Sequence, residues 1–184
     1  MERILVTEEQ IQGRVAELGR DISRDYAGRD FVLLGILKGA AVFLADLTRA
    51  ISIPHTFDFI GVASYKDDGS QGRVVINKEP SVDLHGKHVL LVEDIYDSGL
   101  TLSATLDLLR PLGPASVEIC VFLSKDRPRA AEVAVRYVGF RIPNAFVVGY
   151  GLDLGERYRN LRYVGVANPD FSQPDQLDPS GVQC

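Results

Sequence analysis

The spacing of hydrophobic residues in the first part of the chain predicts a helix followed by a buried strand. Four apolar side chains recur at helical spacing and would share one face: Ile11, Val15, Leu18 and Ile22. Thr7 and Gln10 have the spacing of a capping box, so we expect a helix from about Thr7 to Tyr26. Residues 31–36 are continuously apolar, as in a strand that is buried on both faces of a sheet.

The rest of the pattern alternates between short apolar strands and helices. Strands are predicted over residues 55–63, 88–92, 117–123, 137–139 and 146–148, and helices over residues 40–51 and 101–112. Residues 162–167 either close the sheet or lie beside it. The polar segment 64–73 indicates a mobile loop or hairpin tip, and the proline-containing segment 168–184 indicates a loosely held tail.

Alternation of strands and helices predicts an α/β fold with a central, mostly parallel sheet that is flanked by helices. We expect a single domain over residues 1–184, because no linker or repeat divides the chain. In such folds, ligands bind at the carboxyl ends of the strands. That rule selects three places, which are residues 37–39, 93–101 and 124–129.

Composition and charge narrow the range of partners. The chain has 184 residues and a formal net charge of −5, which argues against a general nucleic-acid binder. It has no apolar run long enough for a membrane span, and its first residues do not resemble a signal peptide, so we expect a cytoplasmic protein. Cys120 and Cys184 are too few for a disulfide framework, and Cys120 is expected to be a core thiol.

The segment from residue 89 to residue 101 contains the most informative chemistry. A buried strand is followed by Glu93 and Asp94, and then by a short loop that opens a helix: Asp97, Ser98, Gly99, Leu100 and Thr101. We name residues 97–101 the phosphate loop, because free N–H groups at a helix start and two hydroxyls favour an anion. Gly99 allows the backbone to approach a phosphate closely.

The adjacent carboxylates Glu93 and Asp94 would repel a phosphate, and they suit vicinal hydroxyls or Mg²⁺ instead. Phosphate, hydroxyls and Mg²⁺ side by side describe a phosphorylated ribose. The alternative is a capped helix with two solvated acids. We disfavour it because an acid pair at the end of a buried strand is costly to place.

This segment resembles the phosphoribosyl-diphosphate (PRPP) signature of the type I phosphoribosyltransferases. That signature is an apolar strand, two acids, two apolar residues and then Asp-Ser/Thr-Gly-x-Thr. Within the superfamily, residues 5–166 are most similar to the hypoxanthine-guanine phosphoribosyltransferases. The resemblance implies a type I phosphoribosyltransferase-like fold with a small base-binding hood. It also implies Mg²⁺-dependent transfer from PRPP to hypoxanthine or guanine.

The resemblance also implies residue roles at the ribose and the pyrophosphate. Asp97 would exchange a proton with N7 of the base, while Glu93 and Asp94 would hold ribose hydroxyls and Mg²⁺. The remaining phosphate-loop residues would bind the 5′-phosphate. Pyrophosphate would be bound by Arg159 and by the lysine loop, which is Leu37, Lys38 and Gly39 with a cis Leu37–Lys38 peptide bond.

Other roles implied by the resemblance concern the base and the closing of the site. Lys125 would donate to the 6-oxo group of a purine, Phe146 would stack on the ring, and the Val147 backbone would contact the base edge. Asp153 would hold a second Mg²⁺. Ser64 and Tyr65 would begin a flexible lid, although the next residue is Lys66 where the family often has glycine.

Related enzymes suggest a homodimer or homotetramer, with no nucleic-acid or membrane partner. Two alternatives stay open at this point. The first is a phosphoribosyltransferase for another base, such as xanthine, or uracil with an RNA-binding regulatory role. The second is a PRPP-sensing regulator without catalysis. Lys125 and the segment 146–153 argue against the uracil type.

Overall fold

A computed structural model describes residues 3–65 and 73–167, which form an α/β fold. The strands are β1 Arg3–Val6, β2 Phe31–Leu37, β3 Thr56–Tyr65, β4 Arg73–Lys78, β5 His88–Tyr96, β6 Ser116–Asp126, β7 Tyr137–Pro143, β8 Val147–Val148 and β9 Val164–Val166. The helices are α1 Glu8–Asp25, α2 Ala41–Ala50 and α3 Leu100–Leu109, the last continued by a 3₁₀ turn, Arg110–Leu112. The predicted tail, Cys184 and residues 66–72 lie outside the described residues.

Six strands form the central sheet in the order β4-β3-β2-β5-β6-β7. Every neighbouring pair is parallel except β3 with β4, so the predicted mostly parallel sheet is confirmed. The chain moves from β2 outward to β3 on one side, and from β5 outward to β6 on the other. A parallel sheet binds ligands where its winding direction changes, and here that point lies between the ends of β2 and β5.

Side chains of the central sheet alternate between two hydrophobic cores. Phe31 and Leu33 of β2 belong to the core that contains the buried residues of α1 and α2. Val32 and Leu34 belong to the opposite core, together with Leu102 of α3. Burial of both faces explains the unbroken apolar sequence of β2.

The start of α1 has the predicted capping box. The Gln10 N–H donates to Thr7 Oγ1 at 3.3 Å, and the Thr7 N–H donates to Gln10 Oε1 at 2.9 Å. These bonds satisfy backbone donors that would otherwise lack partners at the helix start. Cys120 is buried in β6, as expected.

Several strand limits differ from the sequence-based expectation. β5 continues beyond Val92 to Tyr96, and β6 continues beyond Leu123 to Asp126. The reason is that β5 and β6 remain paired as far as Tyr96 and Ser124, after the pairing of β2 with β5 has ended at Val92. Glu93, Asp94 and Lys125 therefore lie within strands, which corrects their placement after strands. β1 and β4 were not predicted.

A second, smaller sheet lies beside the central one. It has the order β1-β9-β8 and is antiparallel, and we call it the hood. β9 settles the position of residues 162–167, because it joins the hood and does not extend the main sheet. In the described ranges, no helix is long and apolar enough to cross a membrane.

Candidate active site

A pocket of about 170 Å³ lies where β5 ends and α3 begins. It brings together six of the predicted site residues: Glu93, Asp94, Asp97, Ser98, Gly99 and Thr101. Leu100 belongs to the same loop, but its side chain is 55% exposed, so only its backbone is suited to a ligand in this pocket. The contiguous segment found in the sequence is therefore also one site in space.

The phosphate loop is held from behind by the segment that follows β6. The Ser98 carbonyl accepts from the N–H groups of Ala130 at 3.0 Å and Ala131 at 3.1 Å. Gly99 has a φ of 81°, and a Cβ on it would lie 1.9 Å from the Ala131 carbonyl oxygen. Gly99 is thus required both by the turn and by this close contact. Sequence reasoning missed Ala130 and Ala131, whose contribution is made by backbone atoms alone.

Within residues 3–65 and 73–167, no side chain forms a capping hydrogen bond at the start of α3. A helix leaves its first N–H groups without partners inside the helix, and the helix dipole places partial positive charge there. The Leu100 N–H lies 3.4 Å from Ser98 Oγ, at the long end of hydrogen-bond distances. The loop therefore presents donors that suit a phosphate dianion.

Glu93 and Asp94 form an acid pair, of which Glu93 is buried and Asp94 is partly buried. Glu93 is only 7% exposed, and among the described side chains neither acid forms a salt bridge with lysine or arginine. Burial raises the pKa of Glu93 well above its usual range, and the neighbouring charge of Asp94 raises it further. Burial also raises the pKa of Asp94, although hydrogen bonds and the charge of Arg159 oppose that shift. Two carboxylates without a protein cation suit an external one.

The lysine loop packs directly against this acid pair. Its Leu37–Lys38 peptide bond is cis, as the resemblance implied. A Cβ added to Gly39 would lie 1.6 Å from Asp94 Oδ2, so any larger residue would displace the carboxylate. The end of β2 and the end of β5 thus meet at the acid pair, at the point where the winding of the sheet changes.

Asp97 is held by two cations, one in β6 and one directly after it. Lys125 Nζ lies 2.8 Å from one carboxylate oxygen of Asp97, and Arg127 Nη1 lies 2.9 Å from the other. The Lys125 side chain is 11% exposed, so it is not a solvated surface lysine. Arg127 was not predicted, and only its position two residues after Lys125 in the sequence hinted at a role.

Arg129 connects Lys125 to the pocket wall. Its guanidinium lies 4.0 Å from the centre of the Tyr96 ring, and its Nη2 donates to Ser124 Oγ at 3.0 Å and to the Lys125 carbonyl at 2.9 Å. These contacts fix the backbone that carries Lys125. Lys125 also lines a second cavity of about 380 Å³, at the carboxyl ends of β6 and β7.

Residues 149–163 connect β8 to β9 and form the hood loop. Within it, Arg159 Nη2 lies 2.8 Å from Asp153 Oδ1, and Arg159 Nη1 donates to the Gly151 carbonyl at 2.7 Å. Glu156, which was not predicted, lies 2.9 Å from Lys38 Nζ. The hydrogen bond from Lys38 is the main cause of a lowered pKa at Glu156.

The predicted base-binding residues lie at the edge of the hood. Phe146 is 39% exposed, which leaves its ring accessible to a ligand. Val147 is buried and belongs to β8, an edge strand of the hood, so one side of its backbone is not used by the sheet. Ser64 and Tyr65 lie at the end of β3, opposite Val74 and Arg73 of β4. Their assignment to a lid stays a prediction.

The residues present fit Mg²⁺ bound together with a substrate. In the ranges that the structure describes, no group of three or more His, Cys, Asp or Glu side chains forms a preformed metal site. Mg²⁺ usually takes one or two carboxylates and fills its other positions with water and substrate phosphates. Glu93 and Asp94 supply two carboxylates without a salt bridge to a described side chain, which matches this coordination. Asp153, by contrast, is already paired with Arg159.

Comparison with known proteins identifies the family. Residues 5–154 match the phosphoribosyl transferase domain, and the chain belongs to that family. Over 177 residues, covering 92% of this chain and 87% of the relative, it is 49% identical to a hypoxanthine-guanine phosphoribosyltransferase of Mycobacterium avium. Over 165 residues, covering 88% of this chain and 93% of the relative, it is 46% identical to a hypoxanthine phosphoribosyltransferase of Salmonella typhimurium.

A solved structure agrees with the sequence relatives. The crystal structure of a hypoxanthine phosphoribosyltransferase from Staphylococcus aureus superposes with a TM-score of 0.88 at 40% identity, covering 95% of each chain. The type I phosphoribosyltransferase-like fold expected from the sequence is therefore confirmed.

Proposed function

We propose that this chain transfers the phosphoribosyl group of PRPP to hypoxanthine or guanine, forming IMP or GMP and releasing pyrophosphate. The observation that carries the proposal is the acid pair Glu93 and Asp94, which lines one pocket with the start of α3 and with Asp97, the ion-pair partner of Lys125. These three features match a ribose with its metal, a 5′-phosphate and a 6-oxopurine. The names of the sequence relatives support the same substrates.

The 5′-phosphate and the ribose occupy the pocket at the start of α3. The backbone N–H groups of the phosphate loop and the hydroxyls of Ser98 and Thr101 bind the phosphate. Glu93 and Asp94 accept hydrogen bonds from the ribose hydroxyls and hold Mg²⁺. Mg²⁺ held by Glu93 and Asp94 would neutralise pyrophosphate charge and so make pyrophosphate a better leaving group.

The pyrophosphate lies between the lysine loop and the hood loop. Lys38 and Arg159 supply the positive charge, and the Gly39 backbone allows close approach beside Asp94. Asp153 fixes the position of Arg159 through the 2.8 Å ion pair. If Asp153 also binds a second Mg²⁺, it does so while it remains paired with Arg159. The protein therefore holds the leaving group through two loops that are far apart in sequence.

The base stacks on Phe146 with its 6-oxo edge toward Lys125. The Lys125 ammonium donates to that oxygen, and Asp97 accepts the proton on N7. The two side chains already lie 2.8 Å apart, which suits two neighbouring atoms on one edge of a purine. Adenine presents an amino group where the oxo group would be, so it leaves the Lys125 donor unsatisfied.

In the chemical step, N9 of the purine bonds to C1 of the ribose as the bond from C1 to pyrophosphate breaks. Positive charge develops on the ribose, as in other glycosyl transfers. The base then loses its N7 proton to Asp97. Fixed positions on strand ends and charge neutralisation contribute most of the rate.

The cytoplasmic location, the homodimer or homotetramer and the lid at Ser64 and Tyr65 remain predictions.

A comparison of bases tests the proposal. Purified protein with PRPP and Mg²⁺ should form nucleotide from hypoxanthine or guanine. Adenine should be a poor substrate, because it has no 6-oxo group to accept the hydrogen bond from Lys125. Nucleotide from xanthine or uracil alone would favour a phosphoribosyltransferase for another base. PRPP binding without nucleotide from any base would favour a regulator without catalysis.

A further inference from the structure

One carboxylate oxygen of Glu156 lies against both cations that the proposed function assigns to pyrophosphate. Glu156 Oε2 is 2.9 Å from Lys38 Nζ and 3.4 Å from Arg159 Nη2. Lys38 lies on the lysine loop and Arg159 on the hood loop, so the two cations come from separate parts of the fold. Glu156 places negative charge between them.

The backbone of the hood loop fixes the position of Glu156. Leu154 and Arg157 exchange two N–H to carbonyl bonds of 3.2 Å, and the Glu156 N–H donates to Asp153 Oδ2 at 2.8 Å. Glu156 itself has a φ of 66°, in the left-handed region that residues other than glycine seldom adopt. The turn therefore presents the Glu156 side chain toward Lys38.

Glu156 differs from Asp153 in how firmly it holds its partners. The Asp153 side chain is 31% exposed and binds the 25% exposed Arg159 at 2.8 Å, and it also accepts the Glu156 N–H. The Glu156 and Lys38 side chains are 64% and 66% exposed. Ion pairs between exposed side chains are weak, so a more highly charged ligand can replace one of the two partners. Asp153 thus positions Arg159, whereas Glu156 can rotate away without unfolding the turn.

We propose that Glu156 is an internal, displaceable competitor of the diphosphate group, and that it sets the affinity of the site for PRPP and pyrophosphate. In the free protein it neutralises Lys38 and Arg159. A diphosphate carries more negative charge than a carboxylate and offers several oxygens to both cations, so it displaces Glu156 on binding. This inference rests on the proposed function, because that function assigns the two cations to pyrophosphate.

Calorimetric titration with pyrophosphate in Mg²⁺ buffer tests the inference on the full chain. Replacement Glu156→Gln removes the charge and keeps the shape, and we expect the dissociation constant to fall roughly threefold to tenfold, the range for losing two exposed ion pairs. The KM of the base should not change. The control is Glu17→Gln, which removes one charge from an exposed pair with Arg14 on α1. An unchanged or weaker pyrophosphate affinity in Glu156→Gln would overturn the inference.

A double-mutant cycle separates competition from a general effect of charge. Lys38→Ala removes the nearer partner of Glu156, so Glu156→Gln should gain much less pyrophosphate affinity in that background. An equal gain in both backgrounds would contradict the proposed competition. Failure of the proposed function would look different, because wild-type protein would then form no nucleotide from hypoxanthine or guanine, whatever its affinity for pyrophosphate. Glu156→Ala repeats the test if the glutamine variant does not fold.

Discussion

The end of β5 and the hood loop both contain carboxylates, but only those of the hood loop are paired with cations of the protein. Glu93 is buried and Asp94 is partly buried, neither has a salt bridge among the described side chains, and partial or full burial raises the pKa of each. Asp153 and Glu156 are more exposed and are paired with Arg159 and Lys38. Asp97, which follows β5 in the phosphate loop, is paired with Lys125 and Arg127.

This difference indicates what each region requires from a ligand. A buried acid pair without a cation is electrostatically incomplete, so it favours a ligand that arrives with positive charge. Paired acids are complete in the free protein: Asp153 positions Arg159 for an anionic ligand, and Glu156 neutralises Lys38 and Arg159 until that ligand binds. Under the proposed function, one site therefore receives Mg²⁺ at the strand end and diphosphate at the loops.

The largest effect is expected at Asp97. Asp97→Asn keeps the shape of the side chain and removes the proton acceptor, so kcat should fall by about 10² to 10⁴ while KM for base and PRPP changes little. Steady-state kinetics measure this split. Asp107→Asn is the control, because Asp107 is an exposed acid of α3 that pairs with Arg110. A higher KM with an unchanged kcat would show that Asp97 only binds substrate.

Removal of Lys125, one of the two partners of Asp97, should have a smaller effect that depends on the base. Lys125→Ala should lower kcat/KM for hypoxanthine roughly tenfold to a hundredfold, the cost of one lost hydrogen bond to an oxo group. The discrimination against adenine should narrow, and the KM of PRPP should stay near its wild-type value. The control is Lys87→Ala, which removes a surface pair with Asp30. Unchanged base selectivity would remove Lys125 from purine recognition.

The smallest effect concerns stability without metal. The folded-state pKa of Glu93 is raised, so its contribution to stability is present below the unfolded value, near 4.5, and is lost as pH rises through the folded pKa. In chelator at pH 8, Glu93→Gln should therefore melt a few degrees above wild type, given about 2–4 °C per kcal/mol for a domain of this size. The difference should shrink toward pH 5.

Asp153→Asn is the matched control for that melting experiment. Asp153 is paired with Arg159, so its loss should not raise the melting temperature. Calorimetry of both variants at pH 8 and pH 5 gives the comparison. Equal stabilisation by both substitutions would erase the distinction between the unpaired and the paired acids.

The part of the site that the sequence predicted without the family resemblance is contiguous in the chain. The acid pair and the phosphate loop follow one another within residues 93–101, and local geometry places them in one pocket. The fold class followed from alternating helical and apolar patterns. The limits of β5 and β6 did not, because tertiary pairing extends both strands across polar residues. β1 was also missed, since four residues with an exposed Ile4 give little pattern.

The parts that the sequence did not predict depend on long-range contacts. Glu156 meets Lys38 across 118 positions, and nothing local to either residue indicates the pairing. Arg127 and Asp97 are 30 positions apart and meet because β5 and β6 are neighbours. Ala130 and Ala131 act through backbone N–H groups, which every residue except proline possesses. Such contacts follow from the packing of the fold.

The most direct test of the central claim is calorimetric titration of PRPP, with and without Mg²⁺, into wild type and into the double variant Glu93→Gln, Asp94→Asn. The claim is that this acid pair holds Mg²⁺ together with PRPP. Mg²⁺ should strengthen PRPP binding to wild type, and the double variant should bind PRPP about 100-fold more weakly with no response to Mg²⁺. A folded double variant that keeps both its PRPP affinity and its response to Mg²⁺ would contradict the claim.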